Sequence, residues 1–157
     1  MFKHRYYRNN VVTSIVCLAF LGYCLVMVSL LFFRARHVMD MYHYNIIPLA
    51  TIEQLVMHRD HYNTESWVKN LFGNIILFIP LGMFIPLLNQ RFMRVTRFVL
   101  LVVAIIFVVE CTQMFTYVGS FDVDDIILNT LGATLGLIVT RWTSNRISQR
   151  LDSTKGA

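Results

Sequence analysis

The fold is decided by residues 110–136, which read ECTQMFTYVGSFDVDDIILNTLGATLG. This stretch joins two strongly apolar segments, yet it holds four carboxylates, one glutamine, one asparagine and three glycines. A charged side chain inside a transmembrane segment costs at least about 2.5 kcal/mol, so it usually marks a functional or pairing role. The stretch therefore predicts a helical hairpin that carries a candidate site.

Helical spacing groups the polar residues of this hairpin. Glu110 and Gln113 are three positions apart and share a face at the end of one helix. Asp122, Asp125 and Asn129 are three and four positions apart and share a face at the start of the next. Because only a short turn separates the two helices, we expect the two polar faces to meet.

The composition excludes an ordinary soluble domain. The chain is 56% hydrophobic and 15% charged, whereas soluble domains run about 45–50% and about 25%. Its 157 residues contain no linker, repeat or low-complexity tract, so we expect one domain over residues 1–157. The net charge of +5 does not indicate nucleic acid, because the basic residues lie between apolar runs. The composition predicts an integral membrane protein.

Four apolar segments predict transmembrane helices at about 11–33, 71–88, 98–115 and 125–142. The first is long enough to span a bilayer core of about 30 Å, and no A-x-A-like cleavage site follows it, so we expect it to be retained. Pro80 predicts a kink in the second span. Gly132 and Gly136 predict a close helix contact by the fourth. The predicted fold class is an all-α four-helix membrane bundle.

Residues 34–69, between the first two spans, are mixed and polar. The segment 45–48 predicts a turn, and Pro48 suits the first position of a helix. The apolar positions that follow form one stripe: Leu49, Ile52, Leu55 and Val56. We expect a short amphipathic helix in the first extracytoplasmic loop, lying on the membrane or re-entering it. A loop packed over the bundle is an equal alternative.

The distribution of Lys and Arg predicts the orientation. The N-terminal segment, the second connector and the tail carry 10 of these residues, whereas the first loop and the 116–124 turn carry 4. We therefore expect a multi-pass protein of the bacterial plasma membrane with both termini cytoplasmic. The central hairpin then points outward.

This orientation gathers polar residues from several spans at the outer face. We expect them to line a pocket that binds a membrane lipid or a lipid-linked envelope ligand. A protein partner or a homo-oligomer stays open. The candidate ligand-binding residues are Arg36, Asn74, Glu110, Gln113, Asp122, Asp125 and Asn129.

Several of these residues have alternative roles. Glu110 and Asp125 are candidates for a general acid and base, because two nearby carboxylates suit that chemistry. A structural hydrogen bond from Glu110 to Asn74 or Asn129 is the alternative. Asp124 and, less strongly, Asp125 suit a cap on the fourth helix, since negative charge stabilises a helix N-terminus. The residues alone assign no catalytic group, and a non-enzymatic protein is the favoured interpretation.

No metal site or cofactor is predicted. His58 and His61, with Asp60, are too few for a typical zinc site, and the H-E-x-x-H motif is absent. The outer carboxylates suit a hard cation such as Ca²⁺ or Mg²⁺, which is the weaker alternative. The three cysteines suggest no disulfide framework.

Three segments resemble the VanZ-like family of bacterial membrane proteins, named for an accessory determinant of resistance to the glycopeptide teicoplanin. They are Arg36 followed by NIIPL at 45–49, NLFGNIILFIPLG at 70–82, and residues 110–136. The resemblance covers roughly residues 10–142. Many members carry Arg after the turn glycine, where this chain has Ser120, so Arg36 is the candidate for that role. The resemblance implies an envelope protein linked to glycopeptide susceptibility.

We therefore expect a contribution to teicoplanin resistance through an outward-facing polar pocket for a lipid-linked or amphiphilic ligand. A membrane enzyme that uses Glu110 and Asp125 on an envelope lipid is one alternative. A small transporter or a partner subunit is another. The inner halves of the spans carry almost no polar residues, which disfavours transport.

Overall fold

The computed structural model describes residues 10–33, 41–58 and 64–153. Their elements are α1 (Asn10–Val28), β1 (Tyr44–Asn45), α2 (Ala50–Met57), α3 (Thr64–Val68), α4 (Asn74–Leu88), α5 (Val95–Phe115), β2 (Phe121–Asp122) and α6 (Val123–Ser153). A π-helical turn at Ser29–Phe33 extends α1, and a second at Lys69–Gly73 joins α3 to α4. A 3₁₀ helix at Gln90–Met93 connects α4 to α5.

Within the described ranges, four helical segments are long and apolar enough to cross a membrane. They are Asn10–Phe33, Asn70–Leu88, Val95–Phe115 and Val123–Ile147. This confirms the predicted all-α membrane fold with four spanning helices. The last helix continues well past residue 142, because no glycine or proline follows Gly136 until Gly156.

Helices α4 and α6 run parallel and form the closest helix pair. A Cβ atom on Gly132 would lie 2.0 Å from the carbonyl oxygen of Ile75, and one on Gly136 would lie 2.0 Å from that of Ile79. Only glycine allows two backbones to approach this closely. The predicted small-residue contact is therefore present, and its partner is the second span.

The other two spans run antiparallel to this pair. Helix α1 packs against α4, where the Tyr23 hydroxyl donates to the Leu77 carbonyl at 2.8 Å. Helix α5 contributes Phe98, Val102 and Ile106 to the core, all fully buried. In the most apolar stretch of α6, 44% of the residues are buried, whereas in that of α1 only 6% are. Helix α6 is thus central, and α1 lies on the lipid-facing periphery.

The short helix of the first loop is present as α2. It begins at Ala50 rather than at Pro48, because Leu49 adopts a left-handed conformation with φ 69° that a continuous helix cannot include. Of the predicted apolar stripe, Leu55 is buried and Val56 is 55% exposed. The contacts of α2 with the bundle, described below, match the alternative of a segment packed over the helices.

Both prolines of the second span lie inside α4. Pro80 and Pro86 remain within the continuous helix Asn74–Leu88, and both lack the backbone donor that the helix would otherwise use. The irregular turn of this span precedes them, at Lys69–Gly73. A kink at Pro80 stays a prediction.

Candidate functional site

The candidate site begins with a two-residue parallel strand pair. Tyr44 pairs with Phe121 and Asn45 with Asp122, and the Phe121 amide donates to the His43 carbonyl at 3.1 Å. This pairing fixes the first loop against the α5–α6 turn. It also brings side chains more than 70 residues apart in sequence into one cluster.

Asp124 is the most buried carboxylate of the cluster, with no exposed surface. Its two oxygens accept from the backbone amides of Leu49, Thr51 and Ile52 at 2.5, 2.8 and 3.1 Å. These amides belong to the first turn of α2, where a helix leaves its donors unpaired and carries partial positive charge. Asp124 therefore caps α2 from a distant part of the chain.

This arrangement corrects the predicted role of Asp124 as a cap on the fourth helix. The cap at the start of α6 is Asp122, whose Oδ1 accepts from the Asp124 amide at 2.9 Å. Asp122 also accepts from the Thr51 hydroxyl at 2.7 Å and the Asn45 amide at 3.2 Å. Both carboxylates thus fasten the first loop to α6.

Asn45 organises the turn before α2, as its position in the sequence predicts. Its side-chain oxygen accepts from the Ile47 amide at 3.0 Å, which closes an Asx turn. Its amide nitrogen donates to the Thr51 hydroxyl at 2.9 Å and to Asp122. The backbone strain at Leu49 is held in place by these bonds and by Asp124.

Glu110 and Gln113 share a face of α5, and each is only 3% exposed. Glu110 accepts from the backbone amide of Asp122 at 3.3 Å, across the hairpin turn. Gln113 donates to the Leu31 carbonyl at 2.9 Å and so ties α5 to the end of α1. The predicted shared face is present, but the Glu110 and Gln113 side chains form hydrogen bonds with different parts of the chain.

Asn74 and Asp125 connect the starts of the two parallel helices. The Asn74 amide donates to a carboxylate oxygen of Asp125. A hydrogen bond of Glu110 with Asn74 or Asn129 was one predicted alternative, and the structure shows the Asn74 amide on Asp125. The packing of the second span beside the fourth, which brings Asn74 into the cluster, matches the expectation.

Asn129 lies one turn deeper in α6 and is only 3% exposed. Its side-chain oxygen is buried and has no hydrogen-bond partner among the described residues, and the same holds for the Thr130 hydroxyl. A buried acceptor without a donor costs about 1–3 kcal/mol. The polar cluster, defined as Asn74, Glu110, Gln113, Asp122, Asp124, Asp125 and Asn129, thus contains one acceptor that nothing described satisfies.

An aromatic group stands beside this cluster. Tyr42 stacks on Tyr117 with ring centroids 4.6 Å apart and meets Phe115 edge-on at 6.3 Å. The hydrogen bond with Tyr42 raises the pKa of the Tyr117 phenol above its usual value. Aromatic residues of this kind are typical of the membrane–water interface.

The remaining predicted residues are Arg36 and the candidate metal ligands. Arg36, Asp60 and His61 lie outside the described residues. Among the residues that the structure describes, no three His, Cys, Asp or Glu side chains are grouped as ligands for a metal ion.

Sequence reasoning missed the capture of α2 by the hairpin. Asn45 and Thr51 were not among the predicted site residues, and no pairing of Asp124 with the first loop was expected. One signal was available: residues 46–49 read IIPL and include no side chain that can cap a helix, so the first amides of the predicted helix needed an acceptor from elsewhere. The unpaired amides alone do not indicate which of the four nearby carboxylates accepts their hydrogen bonds.

The fold and the cluster define a multi-pass helical membrane protein with a buried polar site at one end of its bundle. Residues 20–144 match the family model for VanZ/LLP1, and the chain belongs to this family. It is 28% identical over 111 residues to Protein VanZ of Enterococcus faecium. That match covers 68% of this chain and 66% of the relative's length. No solved structure matches the chain significantly. The resemblance seen in the three sequence segments is confirmed.

Proposed function

We propose that this protein contributes to glycopeptide resistance, teicoplanin in particular, by binding a lipid-linked or amphiphilic envelope ligand at the polar cluster. Membership of the VanZ/LLP1 family and the similarity to Protein VanZ support the resistance role. The ligand site is inferred from the geometry of this chain.

The observation that carries the ligand site is the unpartnered side-chain oxygen of Asn129. Buried polar groups in folded proteins are almost always hydrogen-bonded, so an exception calls for a role. An acceptor at this depth suits a ligand donor such as a hydroxyl or an amide. Sugar and peptide headgroups of envelope lipids carry both groups, and their chains match the apolar surroundings.

The rest of the cluster is rigid, which favours binding. Asp124 holds α2, Asp122 holds the first loop, and Asn74 holds Asp125. Side chains already fixed by hydrogen bonds lose little conformational entropy when a ligand arrives. The unpartnered acceptor thus stands in a preorganised frame rather than in a mobile surface.

The proposed orientation places this site at the outer face. The cluster lies at the start of α4 and α6, whereas Arg91 and Arg94 lie near the end of α4. Basic residues favour the cytoplasmic side of a membrane protein. Both termini are then cytoplasmic, and the ligand comes from the outer leaflet.

The test expresses variants in a glycopeptide-sensitive Gram-positive host and measures teicoplanin susceptibility and membrane abundance together. Glu110→Gln and Asp125→Asn are nearly isosteric, so we expect each to abolish the resistance contributed by the protein at unchanged abundance. Glu110→Ala should lower abundance as well, because it leaves the Asp122 amide without its acceptor.

The matched control is Glu53→Gln, which neutralises an exposed carboxylate on α2 and should leave resistance intact. If Glu110→Gln and Asp125→Asn both keep full resistance at normal abundance, the carboxylates are structural and the proposed site is wrong. If Glu53→Gln loses resistance as Glu110→Gln and Asp125→Asn do, the effect does not come from the cluster.

A further inference from the structure

A cavity of about 260 Å³ lies at the end of the bundle opposite the polar cluster. It is bounded by α1, the end of α4, the 3₁₀ helix and the second half of α6. The residues that line it are mostly apolar and include Val12, Val16, Leu87, Met93 and Ile147. The ligand proposed above does not account for this cavity, since it binds at the other end.

The lining also includes five polar residues, Thr13, Gln90, Thr140, Thr143 and Ser144, and two of them use their hydroxyl groups within α6. The Thr140 hydroxyl donates to the Gly136 carbonyl at 3.0 Å, and the Thr143 hydroxyl to the Val139 carbonyl at 2.9 Å. Both threonine hydroxyls therefore already donate a hydrogen bond within α6. The cavity is also smaller than the roughly 300–1,000 Å³ typical of pockets for drug-sized ligands. It suits a length of hydrocarbon chain better than a polar solute.

Helix α1 forms one wall of the cavity and is the most lipid-exposed span. Val16 lines the cavity, whereas its neighbour Ile15 is 60% exposed on the outer surface. Only 6% of the most apolar stretch of this span is buried. A chain from the surrounding bilayer therefore needs to pass only a single, lightly packed helix.

Positive charge stands beside the cavity. Gln90 and Met93 line it, and Arg91 and Arg94 alternate with them along the 3₁₀ helix and its end, both exposed. Two arginines next in sequence to residues that line an apolar cavity complement a phosphate attached to a hydrocarbon chain. We propose that an anionic phospholipid binds here, with one acyl chain in the cavity and its phosphate at Arg91 and Arg94.

The first test compares two lipids with identical acyl chains, phosphatidylglycerol and phosphatidylcholine. Each is added to the purified full chain in neutral detergent, and binding is measured by native mass spectrometry. Both lipids carry a phosphate, but the choline cation of phosphatidylcholine cancels its charge and competes with the arginines. We therefore expect the net-anionic phosphatidylglycerol to bind at least about tenfold more tightly. The double variant Arg91→Gln, Arg94→Gln should lose this preference. Arg97→Gln, on α5 and not next to a lining residue, should keep it.

The second test fills the cavity. Val16→Phe should weaken the binding of both lipids by about tenfold or more, whereas Ile15→Phe adds the same bulk on the exposed face and should bind as the unchanged protein does. If Val16→Phe does not fold, the double arginine variant still decides, because both arginines are exposed. Equal binding of the two lipids by the unchanged protein, or full binding by a folded Val16→Phe, would overturn the proposal.

Discussion

At the residue scale, Asp124 shows how one carboxylate joins two distant parts of the chain. It lies in the first turn of α6, yet its three acceptor bonds go to the first turn of α2. A helix N-terminus carries a partial positive charge, so a carboxylate that accepts from three amide donors is well placed there. The position of the whole first loop thus depends strongly on this side chain.

Asp124→Ala should therefore destabilise the protein more than loss of an ordinary cap does. We expect a cost of about 2–4 kcal/mol, because three amide donors lose their acceptor in a buried place. The amides of Thr51 and Ile52 should exchange hydrogen faster, and the melting temperature in detergent should fall. Glu53→Ala, on the exposed side of the same helix, is the control. Unchanged exchange at Thr51 and Ile52 would show that Asp124 is not the cap.

The sequence could identify the polar residues but not assign their partners. Four carboxylates in one short stretch stand out because charge is rare in apolar segments. Which amide meets which oxygen depends on the strand pairing of Asn45 with Asp122, and that pairing has only two residues on each side. Such a short strand leaves no periodic pattern to recognise, so the partners of Asp122 and Asp124 appear only in the fold.

At the element scale, the contact of α4 with α6 depends on glycines whose surroundings differ sharply. A Cβ atom at Gly132 would collide with the backbone of Ile75, whereas one at Gly73 would meet nothing within 4 Å. Adding one methyl group at each position, by a Gly→Ala substitution, therefore gives a matched comparison. One lies in the helix contact and the other in the turn before α4.

Gly132→Ala should lower stability, because the two backbones must separate to admit the methyl group. We expect a loss of about 1–3 kcal/mol, the range typical of overpacking, seen as a lower melting temperature in detergent. Gly73→Ala should be neutral or slightly stabilising, since alanine favours a helix by roughly 0.5–1 kcal/mol. Equal melting temperatures for the two variants would mean that Gly132 does not face α4.

The elements themselves were largely predictable. Long apolar runs fixed the spanning helices, and the Gly132–Gly136 spacing identified a close contact. The start of α2 was wrong by two residues, because Leu49 takes a left-handed conformation that a leucine rarely adopts. Local sequence cannot signal such a conformation when bonds from Asp124 and Asn45 hold it in place.

At the scale of the whole molecule, the bundle has two unlike ends. One carries the polar cluster and the aromatic group, and the other carries the cavity and the arginines. Tyr23 links α1 to α4, and the glycine contact links α4 to α6. The part of the bundle between the two ends is therefore closely packed. This polarity matches the uneven distribution of Lys and Arg along the sequence.

The proposed orientation is tested by single cysteines in a background without the three native ones. A cysteine at Ser120 should react with a membrane-impermeant reagent in intact cells, because the proposed orientation puts the hairpin turn outside. Cysteines at Gln90 and Ser153 should react only after permeabilisation. Labelling of the Gln90 position in intact cells would contradict cytoplasmic termini and place the polar cluster on the inner side.

The central claim is that the unpartnered oxygen of Asn129 is kept for binding rather than for stability, and Asn129→Leu tests it most directly. The substitution removes the unsatisfied oxygen and keeps the branched shape and the heavy-atom count of the side chain, so removing its cost of about 1–3 kcal/mol should leave the melting temperature unchanged or higher. Gln113→Leu is the comparison, and it should lower the melting temperature, because the Leu31 carbonyl loses its donor. The account predicts that Asn129→Leu is at least as stable as the unchanged protein yet no longer supports teicoplanin resistance. Full resistance in a stable Asn129→Leu variant would contradict it.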